Sequence, residues 1–444
     1  MADPAQADRM RPDTIRADIA PARSGSGAGP ALPRLLPVPR PPGTDLSAHL
    51  DHYGALPYTG GPRRLIPELR AAGLTGRGGA AFPVSRKLEA VAGAAGRAVV
   101  VANGAEGEPA SDKDKTLLRS APHLVLDGLQ LAAEAVRATT AVLYVGGDPL
   151  TRQQLTSLVA MRAARGIDRL DVRLVVAPPR FLAGQESALA SVVSGGAALP
   201  RFTPPRVFER GVNGQPTLVQ NVETLAHLAL IARYGADWFR QAGPPEEPGT
   251  MLCTVHRVDG SMAVTEVPIG TPLAELIGLR ASQAVLIGGY HGAWIPAGQA
   301  AGLALRNASL RPLGASVGAG ILAALPRDRC GLVETARVAR YLALESAGQC
   351  GPCLSGLPRI AAGLLEVAGP RPRQAVLADL SRWAGLVAGR GACHHPDGTV
   401  RFVGSALRTF AAEIALHRRG TCSATSCAPF LPVTAGPADD ADWS

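Results

Sequence analysis

The fold is constrained most strongly by an alternation of apolar, strand-like runs with helical segments in the first half of the chain. The strand-like runs lie at 98–102, 141–145 and 172–177. The segments between them, 121–138 and 149–165, read as helices, and the first of these carries apolar residues at helical spacing. Strands that alternate with helices pair in parallel, because each crossover returns the chain to the same end of the sheet. The sequence therefore predicts an α/β fold built on a parallel sheet.

Two motifs flank the first of these strands. A glycine-rich loop, Thr75-Gly-Arg-Gly-Gly-Ala-Ala-Phe82, precedes it, and an acidic turn runs from Asn103 to Lys115 after it. Backbone amides of such a loop can approach a ligand closely, and Arg77 and Lys87 add positive charge, which suits a phosphate. The acidic turn follows a strand end, where open α/β sheets bind ligands. The alternative for the loop is a flexible Gly/Ala turn, since it matches neither the Walker nor the Rossmann pattern.

Lysine usage supports a function for this region. The chain has only three lysines, Lys87, Lys113 and Lys115, and all three lie beside these motifs. Every other basic residue is arginine. A compact ammonium and a planar guanidinium are not interchangeable, so these positions are predicted to need the ammonium.

The cysteines indicate a metal or iron–sulfur site in the second half. Cys350-Gly-Pro-Cys353 is followed at a distance by Cys393, a spacing typical of such sites in cytoplasmic proteins. Cys422 and Cys427 are interpreted as a pair of plain thiols near the end of the chain, with recruitment to the cluster as the alternative. Cys253 and Cys330 are expected in the core.

Composition excludes several classes of function. The apolar content of 46% is ample for real cores, and no run of about 18 apolar residues is present, which predicts no membrane span. The first residues lack a basic-then-apolar signal pattern, which predicts a cytoplasmic protein. The net charge of +9 is carried by scattered arginines and only 4% of residues are aromatic, so nucleic acid is not expected as a partner.

Changes in pattern along the chain divide it into five predicted parts. Residues 1–45 and 418–444 are of low complexity and are expected to be disordered. Residues 46–242 form the predicted α/β domain. Residues 249–325 contain two strands, a helix and further strands, which suggests a β-grasp module. Residues 331–417 are helical and predict a small antiparallel bundle.

The motifs resemble the flavin-binding F-type subunit of respiratory complex I NADH dehydrogenase and its relatives in bidirectional hydrogenases and formate dehydrogenases. That family carries Gly-Arg-Gly-Gly-Ala-Gly-Phe-Pro and Asn-Ala-Asp-Glu-x-Glu-Pro-Gly-Thr-x-Lys-Asp-Arg. This chain has Gly76-Arg-Gly-Gly-Ala-Ala-Phe-Pro83 and Asn103-Gly-Ala-Glu-Gly-Glu-Pro-Ala-Ser-Asp-Lys-Asp-Lys115. Gly184-Gln-Glu-Ser-Ala-Leu189 and Val219-Gln-Asn-Val-Glu-Thr-Leu225 match two further family motifs with conservative changes. The resemblance spans about residues 45 to 412.

The resemblance implies an FMN-binding α/β domain, a ubiquitin-like β-grasp domain of the soluble-ligand-binding type, and a helical bundle that carries an iron–sulfur motif. It assigns catalytic positions to Glu106 and Glu108, and places Phe82 and Glu108 near the nicotinamide nucleotide. The cofactor-binding set that it implies is Gly76, Arg77, Gly78, Gly79, Phe82, Lys87, Asn103, Glu106, Glu186, Gln220, Asn221 and Thr224. The cluster ligands that it implies are Cys350, Cys353 and Cys393.

The chain departs from the family at the first cluster ligand, where Ala347 stands in place of a cysteine. Three alternatives follow: a 4Fe–4S cluster with a non-cysteine or solvent fourth ligand, a three-iron cluster, or loss of the cluster with a zinc site or remnant thiols in its place. Sequence neighbours that could supply the fourth ligand are Ser346, His394 and His395. Other departures affect the nucleotide sites: Ala105 replaces an aspartate, and Ala90 and Arg206 replace aromatic residues.

Three functions are therefore compared. The first is an oxidoreductase that passes hydride from NADH to FMN and single electrons to a cluster. The second is an electron-transfer or assembly subunit that does not oxidise NADH and docks to a ferredoxin-like or membrane redox partner. The third is a degenerate structural subunit. The first is preferred, with a cytoplasmic location and peripheral attachment to a membrane through a partner as its extension.

Overall fold

The computed structural model describes residues 34–36, 43–58, 61–147, 149–426 and 428–433. These residues form a four-stranded sheet with helices, a five-stranded sheet, and a C-terminal set of helices. The predicted fold class is confirmed.

The first sheet is parallel throughout and has the order β3-β2-β1-β4. Its strands are β1 (Val99–Gly104), β2 (Thr140–Val145), β3 (Val172–Val176) and β4 (Thr217–Asn221). The last of these strands, which overlaps the family motif at 219–225, is not among the strands that the sequence predicts. It lies beside β1, and its first four residues are buried. Periodicity could not identify this strand, because a five-residue run that ends in two amides has no distinct period.

Within the described residues, eight α-helices accompany this sheet. They are α1 (Leu46–Tyr53), α2 (Pro62–Ala72), α3 (Val84–Ala92), α4 (Lys113–Ser120), α5 (Pro122–Val136), α6 (Pro149–Ala164), α7 (Glu186–Val193) and α8 (Val222–Phe239). The two longest buried helices, α5 and α8, pack against each other and form the centre of the largest hydrophobic core. Asn221 caps α8, because its side chain accepts the Glu223 N–H.

The second sheet has the order β6-β5-β9-β7-β8. Its strands are β5 (Thr250–His256), β6 (Met262–Pro268), β7 (Ser282–Ile287), β8 (Ala293–Pro296) and β9 (Ile321–Pro326), and the short helices are α9 (Leu273–Leu276), α10 (Ala297–Ala300) and α11 (Asn307–Leu310). The first and last strands lie side by side in parallel at the centre, and every other pair is antiparallel. This is the strand order of a β-grasp sheet.

The C-terminal helices pack around a core that they share with residues of the second sheet, among them Leu286, Trp294 and Ala323. They are α12 (Gly331–Leu344), α13 (Leu357–Ala368), α14 (Val376–Val387), α15 (His395–Thr409) and α16 (Ala411–Arg418). A π-helical turn, Pro352–Gly356, leads into α13. The last part of the predicted helical region 331–417 is divided between α15 and α16, because the chain leaves helical geometry at Phe410.

Parts of both low-complexity ends pack on the folded chain. Leu35 is fully buried, and the Leu36 N–H donates to Glu266 at 3.0 Å. Leu431 is 1% exposed and its N–H donates to Glu334 at 2.9 Å. The prediction of disorder therefore does not hold for these residues, and most of the predicted arm lies outside the described residues. Within the described residues, no helix has the length and apolar character required to cross a bilayer.

Candidate functional site

The predicted site residues gather at the carboxyl ends of β1 and β4. The chain runs from β1 to β2 and β3 on one side, then returns to the other side of β1 as β4. The sheet therefore changes direction between β1 and β4, and a crevice at such a switch point is where open α/β sheets bind ligands. Asn221 ends β4, and its register partner Asn103 is the last residue but one of β1. We call this place the switch-point crevice.

The glycine loop lies beside this crevice, between α2 and α3. The Gly76 N–H donates to the Phe82 carbonyl at 2.9 Å and closes the loop. A Cβ on Gly78 would lie only 3.3 Å from the Asn221 Cβ, so the loop backbone approaches the end of β4 closely. Gly79 has φ +103° and packs near Gly318, which requires a residue without a side chain. The Phe82 ring is half exposed.

Arg77 corrects one expectation. Its guanidinium donates to the carbonyls of Thr75, Pro248 and Thr250 and to the Thr75 hydroxyl. Its backbone N–H donates to the Thr224 hydroxyl at 2.9 Å. The side chain is buried, and its hydrogen bonds join the loop to the start of the second sheet. The predicted role of its charge as a phosphate ligand is therefore not supported by this geometry.

Lys87 and Asn103 tie the next segments to the crevice. The Lys87 ammonium donates to the Val219 carbonyl at 2.8 Å and pairs with Glu186 at the start of α7. The Asn103 side-chain amide donates to the Gly184 carbonyl at 2.9 Å. All four motif segments named by the resemblance in the α/β domain therefore meet here.

The acidic turn closes onto the start of α4 through Glu106. Its carboxylate accepts the N–H groups of Asp114 and Lys115, each at 3.2 Å, and the hydroxyl of Ser111. This arrangement satisfies backbone donors that a helix start leaves unpaired. The predicted catalytic role of Glu106 is not favoured, because its oxygens are occupied by these donors.

Lys113 lies at the centre of a buried charge network. Its side chain is 3% exposed, and its ammonium donates to Asp114 at 2.7 Å, Glu223 at 2.9 Å and Asn221 at 3.4 Å. Burial alone would lower its pKa, but the neighbouring carboxylates more than offset this and raise the pKa. Three acceptors around one compact donor explain why this position holds lysine instead of arginine.

Gln220 carries a buried side-chain amide next to the end of β4. The residue is 4% exposed, and its Nε2 has no hydrogen-bond partner among the described residues. A buried polar group without a partner costs about 1–3 kcal/mol. Gln220 lies next to the last residue of β4 and is the register partner of Ala102 in β1, which places this donor beside the switch-point crevice. A ligand with acceptor oxygens, such as FMN, fits this unsatisfied donor.

We therefore expect opposite effects of Gln220→Met on stability and on flavin binding. The free energy of unfolding of the flavin-free protein should be unchanged or higher, because the unpartnered amide is removed. The dissociation constant for FMN should rise by up to about tenfold, since one hydrogen bond contributes about 0.5–1.5 kcal/mol. Chemical denaturation and flavin fluorescence titration measure the two quantities. A variant that is destabilised with unchanged FMN affinity would contradict this assignment.

Glu108 connects the acidic turn to the β-grasp sheet. Its carboxylate accepts the Tyr290 N–H at 2.6 Å in the turn between β7 and β8. A Cβ on Gly289 would lie 2.3 Å from Glu108 Oε1, and Gly289 has φ +81°, so this turn requires glycine. Burial is the main reason that the pKa of Glu108 is raised to about 8, and the Tyr290 N–H opposes the rise. Glu108 therefore carries a proton at neutral pH.

This protonation makes stability depend on pH. Between about pH 4.5 and about pH 8 the folded protein holds a proton on Glu108 that the unfolded chain has lost. Stability must therefore fall as the pH rises through this window. As the pH rises through this window, the free energy of unfolding of the wild type should fall by on the order of 2 kcal/mol relative to that of Glu108→Gln. One pKa unit corresponds to about 1.4 kcal/mol, and solvent in the crevice screens part of the shift. Urea denaturation of both proteins across this range measures the difference, and parallel pH profiles would contradict the assignment.

The three predicted cluster cysteines lie close together, with Cys350 just before and Cys353 in the π-helical turn that leads into α13, and Cys393 two residues before α15. Burial, followed by the neighbouring Cys350 thiol, raises the pKa of Cys353 to about 12, and Cys393 contributes to the rise. The Gly348 N–H donates to the Cys353 sulfur and opposes this rise of the pKa. Three thiols that interact in this way, with a backbone donor aimed at one of them, fit an anionic iron–sulfur cluster. Ala347, at the missing fourth position, offers no ligand atom.

The structure separates the candidates for a fourth ligand. His394 is fully exposed, and its ring lies 3.6 Å from Asp397. His395 has both ring nitrogens engaged, with His291 at 3.0 Å and the Leu342 carbonyl at 2.8 Å. Cys422 lies with Cys330 instead, so its recruitment to this cluster is not supported. Cys427 lies outside the described residues. A half-buried Ser346 and solvent remain compatible with the geometry.

A group of rings, which sequence reasoning missed, connects the crevice with the cysteines. Phe181 lies 5.0 Å from His291, 5.6 Å from His395 and 6.1 Å from Tyr341, measured between ring centroids. A Cβ on Gly107 of the acidic turn would lie within 3.0 Å of the Phe181 backbone. His395 is two residues after Cys393. No local pattern reveals this group, because its members come from all three parts of the fold.

Comparisons with known proteins agree with this site. Residues 69–230 match the family described as the Nuo51 FMN-binding domain, and residues 334–417 match the NADH-ubiquinone oxidoreductase-F iron-sulfur binding region. The second F-type subunit of NADH-quinone oxidoreductase from Rhizobium meliloti (strain 1021) is 28% identical over 375 residues, which cover 80% of this chain and 89% of that protein.

Two further relatives extend the comparison. The F-type subunit of NADH-quinone oxidoreductase from Mycobacterium bovis is 30% identical over 389 residues, covering 81% of this chain and 85% of the relative. A crystal structure of an NAD+-reducing NiFe hydrogenase in the H2-reduced state superposes with a TM-score of 0.74 at 26% identity, covering 88% of this chain and 66% of that chain. The chain thus spans about two thirds of the hydrogenase chain and most of the curated relatives. The chain belongs to the family of the F-type subunit of NADH-quinone oxidoreductase.

Proposed function

We propose that this chain binds FMN, oxidises NADH, and passes electrons singly to an iron–sulfur cluster held by Cys350, Cys353 and Cys393. The observation that carries the proposal is the meeting of the sequence motifs at the switch-point crevice, around the unpartnered amide of Gln220. Membership of the NADH-quinone oxidoreductase family supports it, since the matching regions are described as FMN-binding and iron–sulfur-binding.

The residues of the crevice offer distinct groups to the cofactor. The glycine loop offers close backbone approach, Lys87 a positive charge, and Gln220 a free amide donor. Bound FMN would supply acceptance of hydride from NADH and release of electrons one at a time, and the protein holds and orients it. The residues proposed to hold FMN are Gly76, Gly78, Gly79, Lys87, Asn103, Glu186, Gln220, Asn221 and Thr224. Arg77 stabilises the glycine loop and Glu106 stabilises the acidic turn through the hydrogen bonds described above.

Phe82 and Glu108 are proposed to serve the nicotinamide nucleotide. The half-exposed Phe82 ring offers an apolar face on which a planar ring can stack, worth about 0.5–1.5 kcal/mol beyond its buried area. Glu108 is uncharged at neutral pH because its pKa is raised to about 8. A neutral carboxyl does not repel the phosphates of a dinucleotide and can donate a hydrogen bond.

The cysteine motif carries an apolar surface suited to a protein partner. Leu344 and Leu354 flank the motif and are 50% and 65% exposed. Exposed apolar residues around a redox centre favour docking of another protein. We therefore include in the proposal a redox partner, either ferredoxin-like or a membrane electron-transfer subunit, that accepts electrons here in the cytoplasm.

Anaerobic visible spectra of the purified protein, recorded before and after addition of NADH, together with iron and sulfide analysis, test the proposal. Flavin bands with broad iron–sulfur absorbance that bleach with NADH are expected. Flavin that stays oxidised with NADH but is reduced by dithionite would mean another electron donor, which is the second function considered above. A colourless protein that takes up neither flavin nor iron would leave the structural subunit.

A further inference from the structure

A second group of metal-ligating side chains lies apart from the cluster cysteines. Cys330 precedes α12, Glu413 and His417 lie one turn apart on α16, and Cys422 follows α16. The ligand atoms of these four residues all lie within 4.8 Å of one another. Three of the residues are buried and Cys422 is exposed, which leaves a path for an ion to enter. We call this group the α12–α16 cluster.

The spacing of the ligand atoms fits a tetrahedral ion. Cys330 Sγ lies 3.6 Å from His417 Nε2, and His417 Nε2 lies 3.3 Å from Glu413 Oε1. Tetrahedral zinc with ordinary bond lengths separates a sulfur and a nitrogen ligand by about 3.6 Å, and a nitrogen and an oxygen ligand by about 3.4 Å. Both separations agree with the structure.

Surrounding groups orient these ligands. His417 Nδ1 lies 3.1 Å from the Val367 carbonyl, which can only accept, so Nδ1 carries the proton and Nε2 keeps its lone pair for a metal. The Ser423 N–H and hydroxyl both donate to the Glu413 carboxylate. The Leu332 and Val333 N–H groups donate to the Cys330 sulfur at the start of α12, where a helix favours negative charge.

We propose that Cys330, Glu413, His417 and Cys422 bind one divalent zinc ion as a closed structural site. Two thiolates and an imidazole select a borderline-soft ion such as zinc over magnesium or calcium, which prefer oxygen ligands. Four protein ligands leave no open position for a substrate. Cys330 is thus more than the core residue that the sequence suggested, and Cys422 more than a plain thiol.

The ion fastens the end of the chain to the helical part. Two residues that follow Cys422 are hydrogen-bonded to the helical part. The Ser426 hydroxyl accepts a hydrogen bond from Arg329 at 2.6 Å, and the Leu431 N–H donates to Glu334 at 2.9 Å. The Pro432 carbonyl accepts the Tyr290 hydroxyl, and the N–H of that same tyrosine donates to Glu108. The tail held by the α12–α16 cluster therefore packs behind the turn that contacts the switch-point crevice.

Cobalt binding to the full chain tests the site. The cluster cysteines are first replaced together, Cys350→Ser, Cys353→Ser and Cys393→Ser, so that the iron–sulfur motif cannot bind the probe. Anaerobic titration with Co²⁺ should then give ligand-field and thiolate charge-transfer bands that saturate at about one ion per chain and disappear when Zn²⁺ is added. Adding Cys330→Ser and Cys422→Ser should abolish the bands, whereas adding Cys253→Ala, a buried cysteine of the β-grasp core, should leave them unchanged.

The wild-type chain provides a second measurement that does not depend on these variants. Removing zinc with a chelator should speed tryptic cleavage after Arg418 and Arg419 at least about tenfold, and Zn²⁺ should restore protection. In the single variant Cys422→Ser, at an exposed position, cleavage should be fast both with and without added Zn²⁺. Absence of the cobalt bands, bands that survive loss of Cys330 and Cys422, or a Cys330–Cys422 disulfide in freshly purified unreduced protein would each overturn the proposal.

Discussion

Lys113→Met is expected to lower the free energy of unfolding by about 3–5 kcal/mol, the usual cost of removing one partner from a buried ion pair. The ammonium lies 2.7 Å from Asp114 and 2.9 Å from Glu223, and all three side chains are almost fully buried. Without it, two carboxylates face each other in a poorly solvated place. The Asn221 side chain, held by Lys113 and Asp114, should also lose its orientation, so FMN content should fall.

Lys115→Met is the matched control. Its side chain is 30% exposed and its ammonium lies 3.8 Å from Glu106 and 3.9 Å from Asp112. Partly exposed pairs at such distances contribute at most about 1 kcal/mol. Urea denaturation of the two variants beside the wild type measures the contrast, and equal effects of the two exchanges would contradict the role given to Lys113.

The deficit of Lys113→Met should depend on pH. Burial already raises the pKa of Glu223, and Lys113 opposes this rise. In the variant, the pKa of Glu223 in the folded state must rise further above its value in the unfolded chain. The folded state therefore takes up a proton on Glu223 as the pH falls through this raised pKa. The deficit should therefore be largest above the folded pKa of Glu223 and shrink toward acidic pH. A deficit that grows on acidification would mean that the buried carboxylates are not its cause.

Ala347→Cys is expected to raise the iron and sulfide content of anaerobically reconstituted protein to about four of each per chain, because a 4Fe–4S cluster takes four thiolates. The three remaining ligands, Cys350, Cys353 and Cys393, already lie together. The wild type should bind less iron or lose it faster in air. Metal analysis and electron paramagnetic resonance of the reduced protein measure the change.

Ser355→Cys is the control for this exchange, since it adds the same thiol to the motif at an exposed position that the family does not use as a ligand. It should not raise the iron content as far as Ala347→Cys. An equal gain from both variants would show that any nearby thiol suffices, and no gain from Ala347→Cys would mean that this segment no longer holds a cluster.

Much of the site could be predicted from the sequence because it depends on local patterns. Apolar runs that alternate with helical segments specify the parallel sheet, since each element is set by residues close in the chain. The glycine loop, the acidic turn and the Cys-x-x-Cys motif are contiguous, so their residue types alone indicate their chemistry.

The tertiary structure decided where side chains are used, because partners distant in sequence leave no local signal. The Arg77 guanidinium turns away from the crevice to carbonyls more than 170 residues further along the chain. β4 is recognisable only beside β1, which satisfies its backbone groups. Cys330 and His417 are 87 positions apart, and only the packing of α12 against the helices that follow brings their ligand atoms together. Sequence therefore determined the kinds of chemistry available, and packing determined which groups meet to perform it.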